Sequence, residues 1–214
     1  MAHRPDQEFQ KLLGLCAQLA SEYPEGLVYI GGIAVYLHAT NSTAASQYAE
    51  ATHDADFYIS AADMSDLRER EEVQANRRLS KHQIVRGGFE FDIYTQYQSG
   101  LRVPYDEVMV HCASYDGVRV ASLEHLLVMK LDAYSARRAS AHGRKDARDL
   151  LRIAMVASVS AFVGERAAAF LDDAGLFLLG EIAKGPEPTV LAAGNAQVAK
   201  AIRQTYSRML TRLR

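Results

Sequence analysis

The sequence predicts an α/β (α+β) chain: a small mixed-sheet domain over residues 1–121, then a helical domain over residues 122–214. Three observations predict it. Short β-type runs in the first half are bounded by glycine pairs and polar loops. After Val120 nearly every segment carries helical period. The charge divides at about the same place: residues 1–118 hold 9 Lys and Arg against 17 Asp and Glu, a balance of −8, while residues 119–214 hold 15 against 9, a balance of +6. With 214 residues, 49% of them hydrophobic, the chain can fill one ordinary core or two small ones.

The elements follow in order. Phe9, Leu12, Leu13, Cys16 and Leu19 recur at helical spacing and predict a helix over residues 5–22, stopped by Pro24 and Gly26. Leu27-Val28-Tyr29-Ile30 is a β-type run that meets Gly31-Gly32, and Ile33 to His38 reads as helix. Residues 40–52 are small and polar, a loop. Asp54 to Ile59 reads as strand, and Asp63 to Val73 as a charged surface helix with Asp63 at its N-cap. Leu79 to Val85 and Phe89 to Thr95 form a hairpin about Gly87-Gly88. Pro104 to Cys112 reads as helix and Gly117 to Val120 as a short strand. Ser122 opens a helix with Glu124 in its first turn, and helical period then runs to Arg214. It is broken at residues 140–143, near Asp172 and at Gly185-Pro186-Glu187-Pro188.

Composition excludes several classes. No run of eighteen apolar residues exists, so no membrane span is expected. The first ten residues hold no apolar segment that would direct secretion, and the expected compartment is the cytoplasm. Two cysteines, Cys16 and Cys112, make neither a disulfide framework nor a four-ligand zinc site and read as reduced core thiols. The charge division fits an acidic metal-holding half beside a basic phosphate-facing half. It equally fits a plain match between two domains.

Three carboxylates carry the chemistry. In His53-Asp54-Ala55-Asp56 the acids are two residues apart, so on a strand they share a face. Asp92 lies mid-strand in Phe89-Glu90-Phe91-Asp92-Ile93-Tyr94, where a charge among apolar neighbours calls for a partner or a metal. On a neighbouring strand it would complete a cluster that repels itself unless a cation joins it. Mg²⁺ suits such ligands, and two ions can hold the attacking and leaving oxygens of an in-line phosphoryl or nucleotidyl transfer. A lone D-x-D is common by chance. Gly31-Gly32 adds to it: glycine admits close approach of backbone to phosphate, and the N–H groups at a helix start favour an anion.

The order strand, Gly-Gly, helix, D-x-D strand, then a strand with a central Asp resembles the DNA polymerase β-like nucleotidyltransferase superfamily. More narrowly it resembles the AbiEii-type nucleotidyltransferases, which include bacterial toxins of toxin–antitoxin and phage-defence systems. The matching pieces are Tyr29-Ile30-Gly31-Gly32-Ile33-Ala34-Val35, Thr52-His53-Asp54-Ala55-Asp56-Phe57 and Phe91-Asp92-Ile93-Tyr94. Further pieces are Val118 to Glu124, Met129-Lys130-Leu131-Asp132-Ala133 and Arg144-Lys145-Asp146-Ala147-Arg148-Asp149-Leu150, so the resemblance spans roughly residues 27–152. It departs at Glu50, where such proteins often carry Arg, and in a longer stretch from Gly-Gly to D-x-D.

The resemblance implies a nucleotidyltransferase domain in residues 1–121. It implies that Asp54, Asp56 and Asp92 hold Mg²⁺, with two ions expected, and that Asp92 accepts the proton of the attacking hydroxyl. Gly31 and Gly32 would cradle the triphosphate of an NTP such as ATP, with Thr52 adding a polar contact. Lys130 shares a helix stripe with Leu123, Leu127 and Tyr134, and reads either as a phosphate ligand or as a lysine reaching solvent at the rim. Lys145, Asp146 and Asp149 either contact the nucleotide, orient Lys130, or merely suit the start of a helix.

Three functions stay open. The first is transfer of a nucleoside monophosphate to RNA, tRNA among the candidates, by a toxin-like enzyme with a cognate antitoxin partner. The second is transfer to a small cationic molecule such as an aminoglycoside or lincosamide, which Glu50 would favour. The third is a non-catalytic binding partner, against which the complete triad argues. Lys200, Arg203, Arg208 and Arg212 on the last helix could meet an RNA backbone or simply be solvated.

Overall fold

In the computed structural model, residues 6–76 and 80–213 are described, and the chain divides into two compact units. The first comprises Met1–Leu37 and Ala49–Ser122, the second His38–Tyr48 and Leu123–Arg214. The first unit opens with α1 (Gln7–Glu22), started by Asp6, whose carboxylate accepts the Phe9 N–H at 2.8 Å. Next come β1 (Leu27–Ile30) and α2 (Gly31–Thr40), which runs across the boundary between the units. After a 3-10 turn at Ser46–Tyr48 follow β2 (Asp54–Ile59), α3 (Ala61–Arg70), β3 (Gln74–Asn76), β4 (Lys81–Arg86) and β5 (Phe89–Thr95). The unit ends with α4 (Tyr105–Val110), β6 (Ala113–Tyr115) and β7 (Val118–Val120). The described strands make one sheet in the order β3-β4-β5-β2-β1-β7-β6. Only β2 with β5 and β1 with β7 run parallel. The mixed α/β class predicted from the sequence is the class observed.

Alternation along the strands separates two faces. Phe89, Phe91 and Ile93 of β5 are buried while Glu90 between them is exposed. Tyr29, Phe57 and Phe91 make edge-on ring contacts at 5.8 and 6.5 Å, and the Tyr29 hydroxyl donates to the Cys16 carbonyl at 2.9 Å, tying α1 to this apolar face. The opposite parity, Asp54, Asp56 and Asp92, lies on the other face.

Several expected boundaries shift for local reasons. α3 begins at Ala61, not Asp63, because Ser60 is the cap. Its hydroxyl accepts the Asp63 N–H at 3.0 Å and donates to the Asp63 carboxylate at 2.8 Å. α2 begins at Gly31 itself. β3 and β6 were not foreseen. β3 is three fully exposed residues without alternation, and β6 is short. Leu79, expected to open the hairpin strand, lies outside the described residues.

The second unit holds α5 (Leu123–Arg137), α6 (Ala141–Ala157), α7 (Gly164–Ala168), α8 (Asp173–Ile182), α9 (Glu187–Leu191) and α10 (Ala196–Thr211). Glu124 lies in the first turn of α5, as expected; it is buried and accepts the Val163 N–H at 2.6 Å with Arg166 at 3.3 Å, so it pins the start of α7. On α10, Ile202, Tyr206 and Met209 are buried while Val198 is 38% exposed. Among the described residues no helix is long and apolar enough to cross a membrane.

Burial of acidic protons makes the fold sensitive to alkali. Desolvation pushes the Cys16 thiol and the Tyr58 hydroxyl up to about 12, and Tyr29 well above its ordinary value. Below pH 9 these groups are protonated in both states. Above it the unfolded chain releases protons that the fold retains, so stability falls between pH 9 and about pH 12. Urea midpoints measured from pH 8 to pH 11 should decline steadily, and Tyr58→Phe should flatten the upper part of the decline. A flat profile would contradict the burial of these groups.

Candidate active site

Strand register builds the site. Across parallel β2 and β5, Asp56 is paired with Asp92 and Asp54 with Glu90. Paired residues on neighbouring strands point to the same face about 4.8 Å apart, and Asp54 lies two residues back from Asp56 on that face. The three carboxylates predicted from the sequence therefore start from adjacent positions of one sheet face. Asp54 is exposed, whereas Asp56 and Asp92 are half-buried.

The glycine pair abuts them. Gly31 adopts φ +69°, and a methyl group there would lie 2.2 Å from an Asp56 carboxylate oxygen. A methyl at Gly32 would lie 3.1 Å from the Thr52 hydroxyl. That hydroxyl, on a buried residue, donates to the Asp54 carboxylate at 2.5 Å. Gly31, Gly32, Thr52, Asp54 and Asp56 thus gather at the start of α2, whose first amides face no preceding turn. Gly31→Ala should cost about 1–3 kcal/mol through backbone strain alone and displace Asp56 as well. Gly32→Ala should cost clearly less, since its contact is tight rather than overlapping. Equal denaturation midpoints for the two variants would refute the close approach.

Asp92 carries a partner that the sequence reading missed. Lys81 of β4 forms an ion pair with its carboxylate, and Gln83 donates to it at 3.3 Å. The register Gln83↔Asp92 and His82↔Ile93 explains why: the turn at Gly87-Gly88 sets Gln83 beside Asp92 and Lys81 one step further along the same face. Counting back from that turn would have found both.

The residues suit a divalent cation in donor type. All three are hard oxygen donors on one face, one of them already neutralised by an ammonium. Among the described residues, the side chains as placed form no converged group of three ligands. A cation there would compete with the Lys81 ammonium for the Asp92 carboxylate.

The other predicted residues belong to the second unit. Lys130 is buried and ion-paired with Asp149 at 2.7 Å and Asp146 at 3.5 Å. Asp146 also accepts two hydrogen bonds from Arg137, at 2.7 and 3.1 Å, and Asp149 one from Arg152 at 3.1 Å. Asp146 and Asp149 are one turn apart on α6, which begins at Ala141 after the Ser140 cap, so neither lies in its first turn. The dipole account of these acids is thereby replaced by a buried network. Burial lowers the Arg152 guanidinium to about 10. Lys145, just before Asp146, is half-buried. His53 is exposed, Cys16 is buried and Cys112 half-buried.

No family model matches the chain, and no curated protein matches it. Solved structures do. An antigenic nucleotidyltransferase-like protein from Paracoccidioides brasiliensis superposes over 89% of this chain and 94% of its own, with TM-score 0.55 and 16% identity. A protein from H. pylori that carries a nucleotidyltransferase assignment superposes over 98% and 97%, with TM-score 0.51 and 12% identity. At such identities the likeness is one of fold. The chain has the fold of nucleotidyltransferase-like proteins.

Proposed function

We propose that this chain is a nucleotidyltransferase that moves a nucleoside monophosphate from an NTP to a hydroxyl of an acceptor. The observation that carries the reading is the register of β2 with β5, which starts Asp54, Asp56 and Asp92 from adjacent positions of one face beside the turn at Gly31. Asp54, Asp56 and Asp92 would hold Mg²⁺, which supplies charge neutralisation to the phosphate oxygens when bound. The amides at Gly31 and Gly32 donate to the triphosphate, and the Thr52 hydroxyl fixes the orientation of Asp54. An Asp92 carboxylate oxygen takes the proton of the attacking hydroxyl. The new bond forms between the hydroxyl oxygen and the α-phosphorus, and the bond to pyrophosphate breaks.

In this reading Lys130 is the nucleotide-binding candidate of the second unit, with Asp146 and Asp149 as its positioning residues. Their ion pairs support orientation of the lysine over direct contact with the nucleotide. The basic balance of residues 119–214 favours RNA as acceptor, in a toxin-like or defence setting, over a small cationic drug.

The test is transfer itself. Purified protein with Mg²⁺ and each labelled NTP is offered total tRNA or an aminoglycoside panel. Label in tRNA supports the RNA reading, and label in a drug the small-molecule one. No transfer to any acceptor, with no NTP bound, overturns the proposal.

A further inference from the structure

Beside the catalytic face lies a cavity of about 590 Å³ in the first unit, whose lining includes Arg68, Asn76, Lys81, His82, Gln98 and Ser99. Among the described residues no carboxylate lines it. Its charged groups are cations, and the rest of its polar lining is hydroxyl, amide and imidazole.

Two of these groups have unusual partners. Lys81 lines the cavity while its ammonium pairs with Asp92, so the cavity is one side chain away from the third carboxylate of the triad. Arg68 is ion-paired with none of the described carboxylates. Its guanidinium contacts His82 Nε2 at 2.9 Å. A guanidinium has only donors, so that nitrogen accepts and the ring is neutral, with its proton on Nδ1. Burial and the Arg68 charge lower the proton affinity of His82 in the same sense. The arginine, an exposed residue, is therefore held by a neutral acceptor, with no ion pair to a described carboxylate and further N–H groups to offer.

We infer that this cavity is an acceptor subsite for a phosphate group, with Arg68 as its principal ligand and Lys81 as its link to the reacting centre. The inference rests on the transferase reading for the word acceptor; the anion site itself does not. It deepens that reading by selecting a phosphate-bearing acceptor over a cationic drug, which a carboxylate-free cavity holding Arg68 and Lys81 repels. Were Asp92 to ligate a divalent cation, Lys81, which lines the cavity, would be free to donate to a phosphate oxygen there.

The test measures binding, with full-length protein in Mg²⁺. Probes are a 5′-fluorescein-labelled single-stranded RNA hexamer, glycerol 3-phosphate as competitor, and neomycin. Variants are R68E, R68K and K200E, the last on the exposed basic side of α10. Wild type should bind the hexamer in a salt-dependent manner, R68E at least about tenfold more weakly and more weakly than K200E, and R68K within about threefold of wild type. Hexamer binding that depends on Arg68 and resists glycerol 3-phosphate identifies a polynucleotide source. Arg68-dependent binding of glycerol 3-phosphate alone identifies a small phosphorylated acceptor. Either supports the subsite.

Equal hexamer affinity in R68E and wild type, loss in K200E instead, or binding of neomycin alone overturns it. Mg²⁺–ATP affinity, measured separately by calorimetry, distinguishes the two readings. ATP bound equally by wild type and R68E, with hexamer affinity unaffected by R68E, removes the subsite and leaves the transferase. No ATP bound by wild type, with hexamer binding still dependent on Arg68, removes the transferase and leaves the anion site.

Discussion

Asp54→Ala and Asp92→Ala should each reduce nucleotidyl transfer by at least about a hundred- to a thousandfold, the range lost when one stabilising group is withdrawn from a developing charge. The two variants should differ in stability. Asp54 is exposed and its hydrogen bond from Thr52 is local, so its removal should leave the urea midpoint nearly unchanged. Removing Asp92 deprives Lys81 of its counter-charge. Both side chains of that pair are 16% exposed, and the lysine can swing toward water, so the cost should be only about 1 kcal/mol. Activity is therefore lost while the fold survives, and the midpoint of each variant verifies that separation. Full activity in either variant removes the proposed site.

Legibility of the site followed the range of each signal. The shared face of Asp54 and Asp56 came from a spacing of two, a property of any strand. That Asp92 stands beside Asp56 depends on a parallel pairing of β2 with β5 across thirty-odd intervening residues. No local pattern encodes it, and only the resemblance pointed there. Lys81 and Gln83 were within reach of local reasoning, because Gly87-Gly88 sets the hairpin register. They were missed because the charges were read along the chain and not across the strands. β3 and β6 gave no signal. Three residues without a buried alternate face are specified by the edge they extend, not by their own sequence. The Ser60 cap was overlooked in favour of Asp63 because both residue types suit a cap, and the two are hydrogen-bonded to each other.

The buried network on α5 and α6 yields the largest stability prediction. Asp149 is the shared anion of two buried cations, Lys130 at 2.7 Å and Arg152 at 3.1 Å. The Arg152 side chain is only 7% exposed, and its guanidinium is ion-paired with Asp149. Truncating one member of a buried pair strands the other without solvent, so Asp149→Ala should destabilise the protein by about 3–5 kcal/mol. Asp146→Ala should cost less, about 1.5–3 kcal/mol, although Asp146 accepts more hydrogen bonds. Its main partner, Arg137, is 49% exposed and regains water when the carboxylate is lost.

The order of the two variants is the decisive quantity, because bond counting predicts the reverse. Urea midpoints at one pH measure it directly, and an Asp146→Ala variant weaker than Asp149→Ala would show that hydrogen-bond number outweighs burial of the partner cation. Replacing Lys130, Asp149 and Arg152 together by Met, Leu and Met should recover most of the lost stability, since the cost lies in the stranded charges and not in the absent ion pairs. If that triple variant stays as unstable as Asp149→Ala, the network contributes packing that apolar side chains of similar length cannot reproduce.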